Sequence, residues 1–422
     1  SLLLMLPVST NGPGGASFWD SLFTATSAVC VTGLMLHDTA QYWSYFGQFV
    51  IMILIQIGGM GVVTVSIAIA MLSGRKIGFM QRSTMCEAIS AHHVGGIVRM
   101  TGFILRTTII IELTGAAAMF PVFCRDFGAV KGLWYSLFHA VSAFCNAGFD
   151  LLGVRSEFSS LTTYADNPVI NITIMTLIVT GGIGFLTWDD IKTHKIHLKK
   201  YRMQSKVILT VTSLLILLPA LYFYFVEFSA DKWSGMSVSE RILGSFFQSV
   251  TPRTAGFNTV DLTMLSEAGV FIMIILMITG GSPGSTAGGI KTTTIAVLFS
   301  SAFSVFRRKG ETNCFHRRIS DDTINHAATI LLMYLVLFLT GGIAISCMEG
   351  IPILDCLFET ASAIGTVGLT LGITTELGFA SRLILIVLMF WGRVGGLTLV
   401  FAAISGKHPD FAKFPMEKIT VG

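Results

Sequence analysis

The sequence predicts an all-α integral membrane protein. Its plan is four repeats of outer helix, re-entrant pore helix and loop, and inner helix, in pseudo-fourfold arrangement around one central axis. Three observations predict it. Of 422 residues, 52% are apolar and only 12% are Asp, Glu, Lys or Arg, against roughly 25% charged in soluble chains. Mean hydropathy is +0.73, and the apolar runs are helix-length rather than the short alternating segments of a barrel. One short pattern recurs four times. Together these exclude a soluble enzyme, a secreted disulfide scaffold and a disordered chain.

The runs lie at about 43–72, 97–123, 168–188, 206–228, 269–306, 327–348 and 382–404, the fifth interrupted by GGSPGSTAGGIKT at 280–292. The segments 73–100, 189–206, 300–326 and the tail after 404 hold four, six, five and three of the 28 Lys and Arg residues. Cytoplasmic segments carry excess positive charge, so these four are placed inside and the connections between them outside. The leading Ser-Leu-Leu-Leu-Met-Leu is too short to span, because a span takes about 20 residues; the native chain is expected to extend upstream by about one helix. The seven Cys residues include no CxxC pair, which argues against a disulfide framework and a zinc site.

The outer connections are too apolar for simple loops. Aligned, they give SLFTATSAVCVTGL (21–34), SLFHAVSAFCNAGF (136–149), GSFFQSVTPRTAGF (244–257) and CLFETASAIGTVGL (356–369). Their glycines, Gly33, Gly148, Gly256 and Gly368, are separated by 115, 108 and 112 residues, and Phe23, Phe138, Phe246 and Phe358 each precede their glycine by ten. The implied repeats are 1–90, 91–200, 201–318 and 319–422. Irregular backbone at membrane depth is tolerated where it lines a watery cavity. Four re-entrant helices would aim their partially negative C-termini at such a cavity. The following carbonyls would replace the water shell of a monovalent cation, and glycine lets the backbone approach the axis. Three residues before each glycine stand Cys30, Cys145, Arg253 and Gly365. Arg253 is expected to turn away from the axis and pin its loop through carbonyls or a carboxylate. Cys30 and Cys145 lack further ligands, so no metal site is expected there.

In the third inner run, Gly280, Gly281, Ser282, Pro283, Gly284, Ser285, Thr286, Ala287, Gly288 and Gly289 cannot continue a helix. The break falls where it would obstruct an ion path. It superficially matches a phosphate loop, but Ile290 separates Gly289 from Lys291, and no aqueous strand precedes it. Arg393 sits in the fourth inner run. A charge at a helix centre costs roughly 2.5–3.5 kcal/mol on insertion scales, so it seeks partners, and the broken helix offers free carbonyls. The segment 280–292 is therefore expected to act as a gate whose closed form Arg393 holds, with Lys291 anchoring its end. The alternative is that Arg393 merely ties two helices together. His194 with His197, and His92 with His93, fit solvated faces better than metal sites. Glu112, inside an outer helix, fits a hydrogen bond to a neighbouring helix better than a proton relay. Asn171 matches a glycosylation signal but lies inside a span.

These residues resemble the Trk/Ktr/HKT superfamily of potassium transporters, and most closely the Ktr-type membrane subunit. The resemblance covers essentially the whole chain. It is carried by the four glycine loops, by TPRTAGFNTVD (251–261), by GSPGSTAGGIKTTT (282–294) and by WGRVGGLT (391–398). The missing first outer helix is the departure. The resemblance implies potassium uptake across a bacterial plasma membrane through a filter. Its backbone oxygens would come from Val31 and Thr32, Asn146 and Ala147, Thr254 and Ala255, and Thr366 and Val367, beside the four glycines. It also implies a homodimer and a cytosolic ring of nucleotide-binding regulatory subunits (KtrA-like), so nucleotide would act only on the partner. Basic inner segments suit membrane lipid or that ring, and no nucleic acid is expected.

The loops are not identical, so potassium is expected to be preferred over sodium by a modest ratio; sodium stays open as a regulator. The leading reading is a gated conduit, not an enzyme, driven by the membrane potential. The alternative is the pore subunit of an ATP-driven potassium pump, although the chain carries no extra spans and no catalytic Asp motif. A coupled carrier fits less well, because such carriers more often have inverted repeats.

Overall fold

The computed structural model describes residues 1–61, 64–66, 68–69, 97–308 and 310–395. Among these, thirteen helices have ten residues or more. They are α1 (Phe18–Cys30), α2 (Tyr45–Met60), α3 (Ile97–Phe127), α4 (Ala129–Cys145), α5 (Pro168–Gly182), α6 (Phe185–His194), α7 (Met203–Phe225), α8 (Val238–Val250), α9 (Glu267–Ile278), α10 (Thr292–Phe306), α11 (Asp321–Glu349), α12 (Ile353–Gly365) and α13 (Phe379–Val394). A hairpin of two-residue strands, Asn313–Cys314 and Arg317–Arg318, joins α10 to α11.

Capping residues start these helices where the sequence supplies them. Ser17 accepts from Asp20 N at the start of α1. Ser237 and Glu240 form a reciprocal capping box on α8. Asn167 Oδ1 accepts from Val169 N and Ile170 N, with Pro168 at the first position of α5. Such caps satisfy backbone donors that would otherwise be orphaned.

The long outer helices α3, α7 and α11 are apolar and long enough to cross a membrane, and α5 with α6 forms a fourth, bent candidate. The short helices α1, α4, α8 and α12 are the re-entrant elements, each ending at a glycine loop. Each outer helix packs on the re-entrant helix that follows it, and the inner helices pack on the re-entrant ends. In the tightest such pair, α4 meets α3 where a side chain on Gly132 would stand 2.7 Å from Cys124 backbone.

Two expectations need correction. Only the third inner run was expected to break, yet the others also end helices at positive-φ glycines inside their apolar runs. The helix α2 stops before Gly61, and α13 before Gly395. Around Gly184 the chain turns by 98° from α5 into α6. A positive φ is cheap only for glycine, and it ends the helix at each site. The recurring sequences are Gly58-Gly59-Met60-Gly61, Gly181-Gly182-Ile183-Gly184 and Gly392-Arg393-Val394-Gly395. Second, Phe246 is not equivalent to the other three phenylalanines. Phe23, Phe138 and Phe358 are at most 1% exposed, whereas Phe246 is 39% exposed and Phe247 is buried instead. Pro252 has no backbone N–H to continue the ladder and its ring crowds the carbonyl four residues back, so α8 ends at Val250, six residues before its glycine rather than three.

A Gly132→Ala substitution should lower thermal stability in detergent by on the order of 1–3 kcal/mol through overpacking. Gly102→Ala, where the new methyl meets nothing within 4 Å, should be neutral or stabilising by up to about 1 kcal/mol. Melting curves of the two variants side by side check this.

Candidate functional site

The four glycine loops meet in a closed ring of backbone contacts. A methyl group on Gly33 would strike Ala147 O, and one on Gly148 would stand 2.9 Å from Ala255 O. One on Gly256 would strike Val367 O, and one on Gly368 would strike Thr32 O. Each loop thus presses its glycine on the carbonyl that precedes the next loop's glycine, and the fourth returns to the first. All four glycines have positive φ, between 70° and 93°. Thr32, Ala147, Ala255 and Val367 are fully buried. The twelve residues expected at the filter are therefore brought together in one place.

Three re-entrant helices enter the ring by the same turn. Thr32 N, Ala147 N and Val367 N each donate at 2.8 Å to Ser27 O, Ser142 O and Ser362 O, while Val31 N, Asn146 N and Thr366 N donate at 3.1–3.2 Å to Ala28 O, Ala143 O and Ala363 O. This is the doubly bonded C-terminal turn that normally places glycine in the left-handed position. Here Val31, Asn146 and Thr366 take it, with φ of 57°, 60° and 51°. Thr254 reaches φ 71° in the third loop after the extra turn set by Pro252. Left-handed β-branched residues cost on the order of 1–3 kcal/mol each and cluster at functional sites. Gly33 N and Gly368 N then donate at 3.0 Å to Ser27 Oγ and Ser362 Oγ. In the other two loops Ser142 Oγ donates to Phe149 O and Thr251 Oγ1 to Phe257 O.

Beneath the ring lies the segment between α9 and α10, held by backbone bonds from several directions. Ser282 N donates to Gly182 O, Thr286 N to Gly181 O, Phe185 N to Gly284 O and Gly289 N to Gly392 O. Thr286 Oγ1 donates to Phe144 O, at the C-terminal turn of α4, at 3.0 Å. A methyl on Gly288 would strike the Thr366 side chain, and one on Gly289 would stand 3.2 Å from Gly365 O. The segment therefore underlies the glycine loops in direct contact. Lys291 Nζ donates to Ala287 O at 2.8 Å and to Gly288 O at 3.4 Å, closing the segment on itself. Arg393 extends one guanidinium nitrogen to Thr286 O and the other to Gly58 O, with Gly59 O at 3.3 Å. It joins the interrupted segment to the broken end of α2.

Arg253 is 4% exposed and its guanidinium donates to Thr212 Oγ1 on α7 at 3.3 Å. It turns outward as expected, but its partner is a hydroxyl rather than a carbonyl or carboxylate, because the element behind this loop is an apolar outer helix. Glu112 is buried on α3, with Cys145 Sγ 3.9 Å from its carboxylate, so it meets the neighbouring re-entrant helix. Asn171 is buried and donates to Tyr164 O and Asn167 O at 2.8 Å, a packing role. No cluster of three metal-ligating side chains occurs among the described residues. His92, His93 and the tail after 395 lie outside them.

Sequence reading missed the packing glycines of the inner helices. A methyl on Gly58, Gly181 or Gly392 would strike Val29 O, Phe144 O or Ile364 O, each four residues before a loop glycine. The Gly-x-x-Gly spacing at 58–61, 181–184 and 392–395 was the available signal.

Comparison with known proteins identifies the family and supports the fold. The family model for TrkH, described as "Cation transport protein", matches residues 8–411. The chain is 40% identical to the potassium/sodium uptake protein NtpJ of Enterococcus hirae and 40% identical to Ktr system potassium uptake protein B of Bacillus subtilis, covering 100% of this chain and 93% of each relative. It is 33% identical to the Vibrio alginolyticus Ktr system potassium uptake protein B, over 100% of this chain and 91% of that one. The crystal structure of the potassium transporter TrkH from Vibrio parahaemolyticus superposes with a TM-score of 0.72 at 19% identity, over 92% of this chain and 78% of that one, which supports the fold. The chain is a multi-pass membrane protein and belongs to the TrkH family of cation transport proteins.

Proposed function

We propose that this protein carries potassium into the cell, down the membrane potential, through a filter formed by Val31–Gly33, Asn146–Gly148, Thr254–Gly256 and Thr366–Gly368. The observation that carries this is the closed glycine–carbonyl ring at the ends of four re-entrant helices. Backbone carbonyls and four partially negative helix ends suit a monovalent cation that must shed its water. Each elementary charge moved across 100 mV gains about 2.3 kcal/mol, so no chemical energy source is required on this chain. The repeats 1–90, 91–200, 201–318 and 319–422 each supply one loop. Potassium uptake is also named for the Bacillus subtilis and Vibrio alginolyticus relatives, and potassium/sodium uptake for the Enterococcus hirae relative. Sodium accordingly enters as a second permeant or regulatory ion.

Residues 280–291 form the gate of this proposal. The segment underlies the filter, and Arg393 bonds both its Thr286 carbonyl and the end of α2, so its positive charge and its bonds favour one closed arrangement. The relatives named as Ktr system membrane proteins suit a cytosolic nucleotide-binding ring that acts on this gate, with a homodimer as the working unit and lipid around it.

Liposomes containing the protein, with a potential imposed and no ATP, should take up potassium, and Gly256→Ser should reduce the flux at least tenfold. If flux appears only with added partner and in proportion to ATP hydrolysed, the pump reading replaces this one. Arg393→Ala removes charge-assisted hydrogen bonds worth about 1.5–3 kcal/mol each and should raise flux about tenfold or more in a protein that still elutes as folded. Arg393→Lys, which keeps charge but not the planar fork, should fall between. Flux through Arg393→Ala equal to or below wild type contradicts gating and leaves a tether. The potassium-to-sodium permeability ratio should be modest, because no two loops share one sequence; a ratio as sharp as that of tetrameric potassium channels contradicts this.

A further inference from the structure

We infer that Glu359 is a positioning residue of the fourth filter loop, fixing how closely Gly368 abuts Gly33 and so contributing to ion discrimination; this rests on the filter reading above. Glu359 stands nine residues before its loop glycine, where the first two repeats have Thr24 and His139; in the register-shifted third repeat the residue at that spacing, Phe247, takes the buried place of the other repeats' phenylalanines. Thr24, His139 and Glu359 are at most 3% exposed. The position lies on the re-entrant helix, behind the limb of the loop that leaves the ring. In the second repeat the role is visible. His139 Nδ1 lies 2.7 Å from Tyr135 O and so carries the proton, which leaves Nε2 to accept from Leu151 N at 3.4 Å, three residues after Gly148.

In the fourth repeat Glu359 accepts a hydrogen bond from the Thr374 hydroxyl. Thr374 Oγ1 lies 3.0 Å from Thr370 Oγ1, and Gly372 N donates to Thr370 Oγ1 at 3.0 Å. The Thr374 hydroxyl points its proton at the carboxylate, and the Thr370 hydroxyl, beside both, accepts from Gly372 N. The stretch from Gly368 to Thr374 is therefore tied to α12 at both ends, by Ser362 under the glycine and by Glu359 beyond it. Because Gly368 presses on Thr32 O, any loosening of this limb is transmitted to the seam between the fourth and first loops. The second carboxylate oxygen, Oε2, has no hydrogen-bond partner among the described residues. A glutamine can place its amide nitrogen there and keep the accepting oxygen toward Thr374.

The test is the potassium-to-sodium permeability ratio, measured on each variant in liposomes, with the cytosolic partner present if flux requires it. Loss of one buried hydrogen bond should lower the ratio about fivefold in Glu359→Ala and equally in Thr374→Val. The double variant should fall no further, and Glu359→Gln should stay near wild type. Gly256→Ser serves as the reference for the filter itself. If it lowers the ratio while Glu359→Ala and Thr374→Val leave it unchanged, even with total flux reduced, Glu359 is only scaffolding and the inference is overturned. If Gly256→Ser also leaves the ratio unchanged, the filter reading fails first and takes the inference with it. Thr374→Val preserves side-chain volume and decides the matter if Glu359→Ala does not fold.

Discussion

The architecture depends on a backbone contact that no side chain can replace: the α-carbon of one loop glycine against the carbonyl of the next loop. Four such contacts close a ring, and closure explains features that look unrelated along the chain. A Cβ at any of the four glycines would separate two loops. The residues two positions earlier accept left-handed conformations, which asparagine tolerates at position 146 but which valine and threonine rarely adopt. The inner helices must come equally close to the re-entrant helices behind the ring, so Gly58, Gly181 and Gly392 abut Val29 O, Phe144 O and Ile364 O. Glycine recurs because backbone packs on backbone both in the ring and behind it.

The same constraint shapes the segment beneath the ring. It holds its place chiefly through main-chain donors and acceptors on α5, α6 and α13, with little apolar burial of its own. Elements held by hydrogen bonds rather than buried apolar surface lie at the low-stability end of a fold and are drawn on for motion. Arg393 differs from the neighbouring contacts because its side-chain fork bonds two elements at once, the interrupted segment and the end of α2. Its place in the fourth inner helix corresponds to Gly59 in the first and Gly182 in the second. A glycine at those positions packs, whereas the arginine reaches across.

Much of this was legible in the sequence, for physical reasons. Low charge and helix-length apolar runs report the membrane directly, and the fourfold spacing of Gly33, Gly148, Gly256 and Gly368 reports the ring, since only a shared steric demand repeats one residue at near-equal intervals. The clustered glycines and Pro283 announce the third break. The other breaks were illegible as breaks because Gly61, Gly184 and Gly395 sit in runs whose hydropathy continues past them, and hydropathy does not register φ. The exposure of Phe246 was hidden for the opposite reason: its spacing from Gly256 matches the other repeats, and only the proline four residues before that glycine signals a shift. Arg253 was read correctly as turning outward, but its partner, Thr212, lies 41 residues away and has no local signature. Glu359 was invisible as anything but a pore-helix residue, because its partners lie beyond the glycine.

A single chain with four unequal repeats can do what four identical subunits cannot. In a symmetric tetramer an arginine beneath the ring would appear four times, and so would a glycine-rich segment such as 280–289. Here one guanidinium meets one interrupted segment, and the remaining positions keep glycine. The residues that brace the loops diverge in the same way, to His139 in the second repeat and Glu359 in the fourth. Divergence is tolerated behind the ring because the ring itself is made of backbone, and backbone geometry can be held by an imidazole or by a carboxylate. Asymmetry of the supports with near-symmetry of the carbonyls is thus the arrangement expected when one chain carries all four loops.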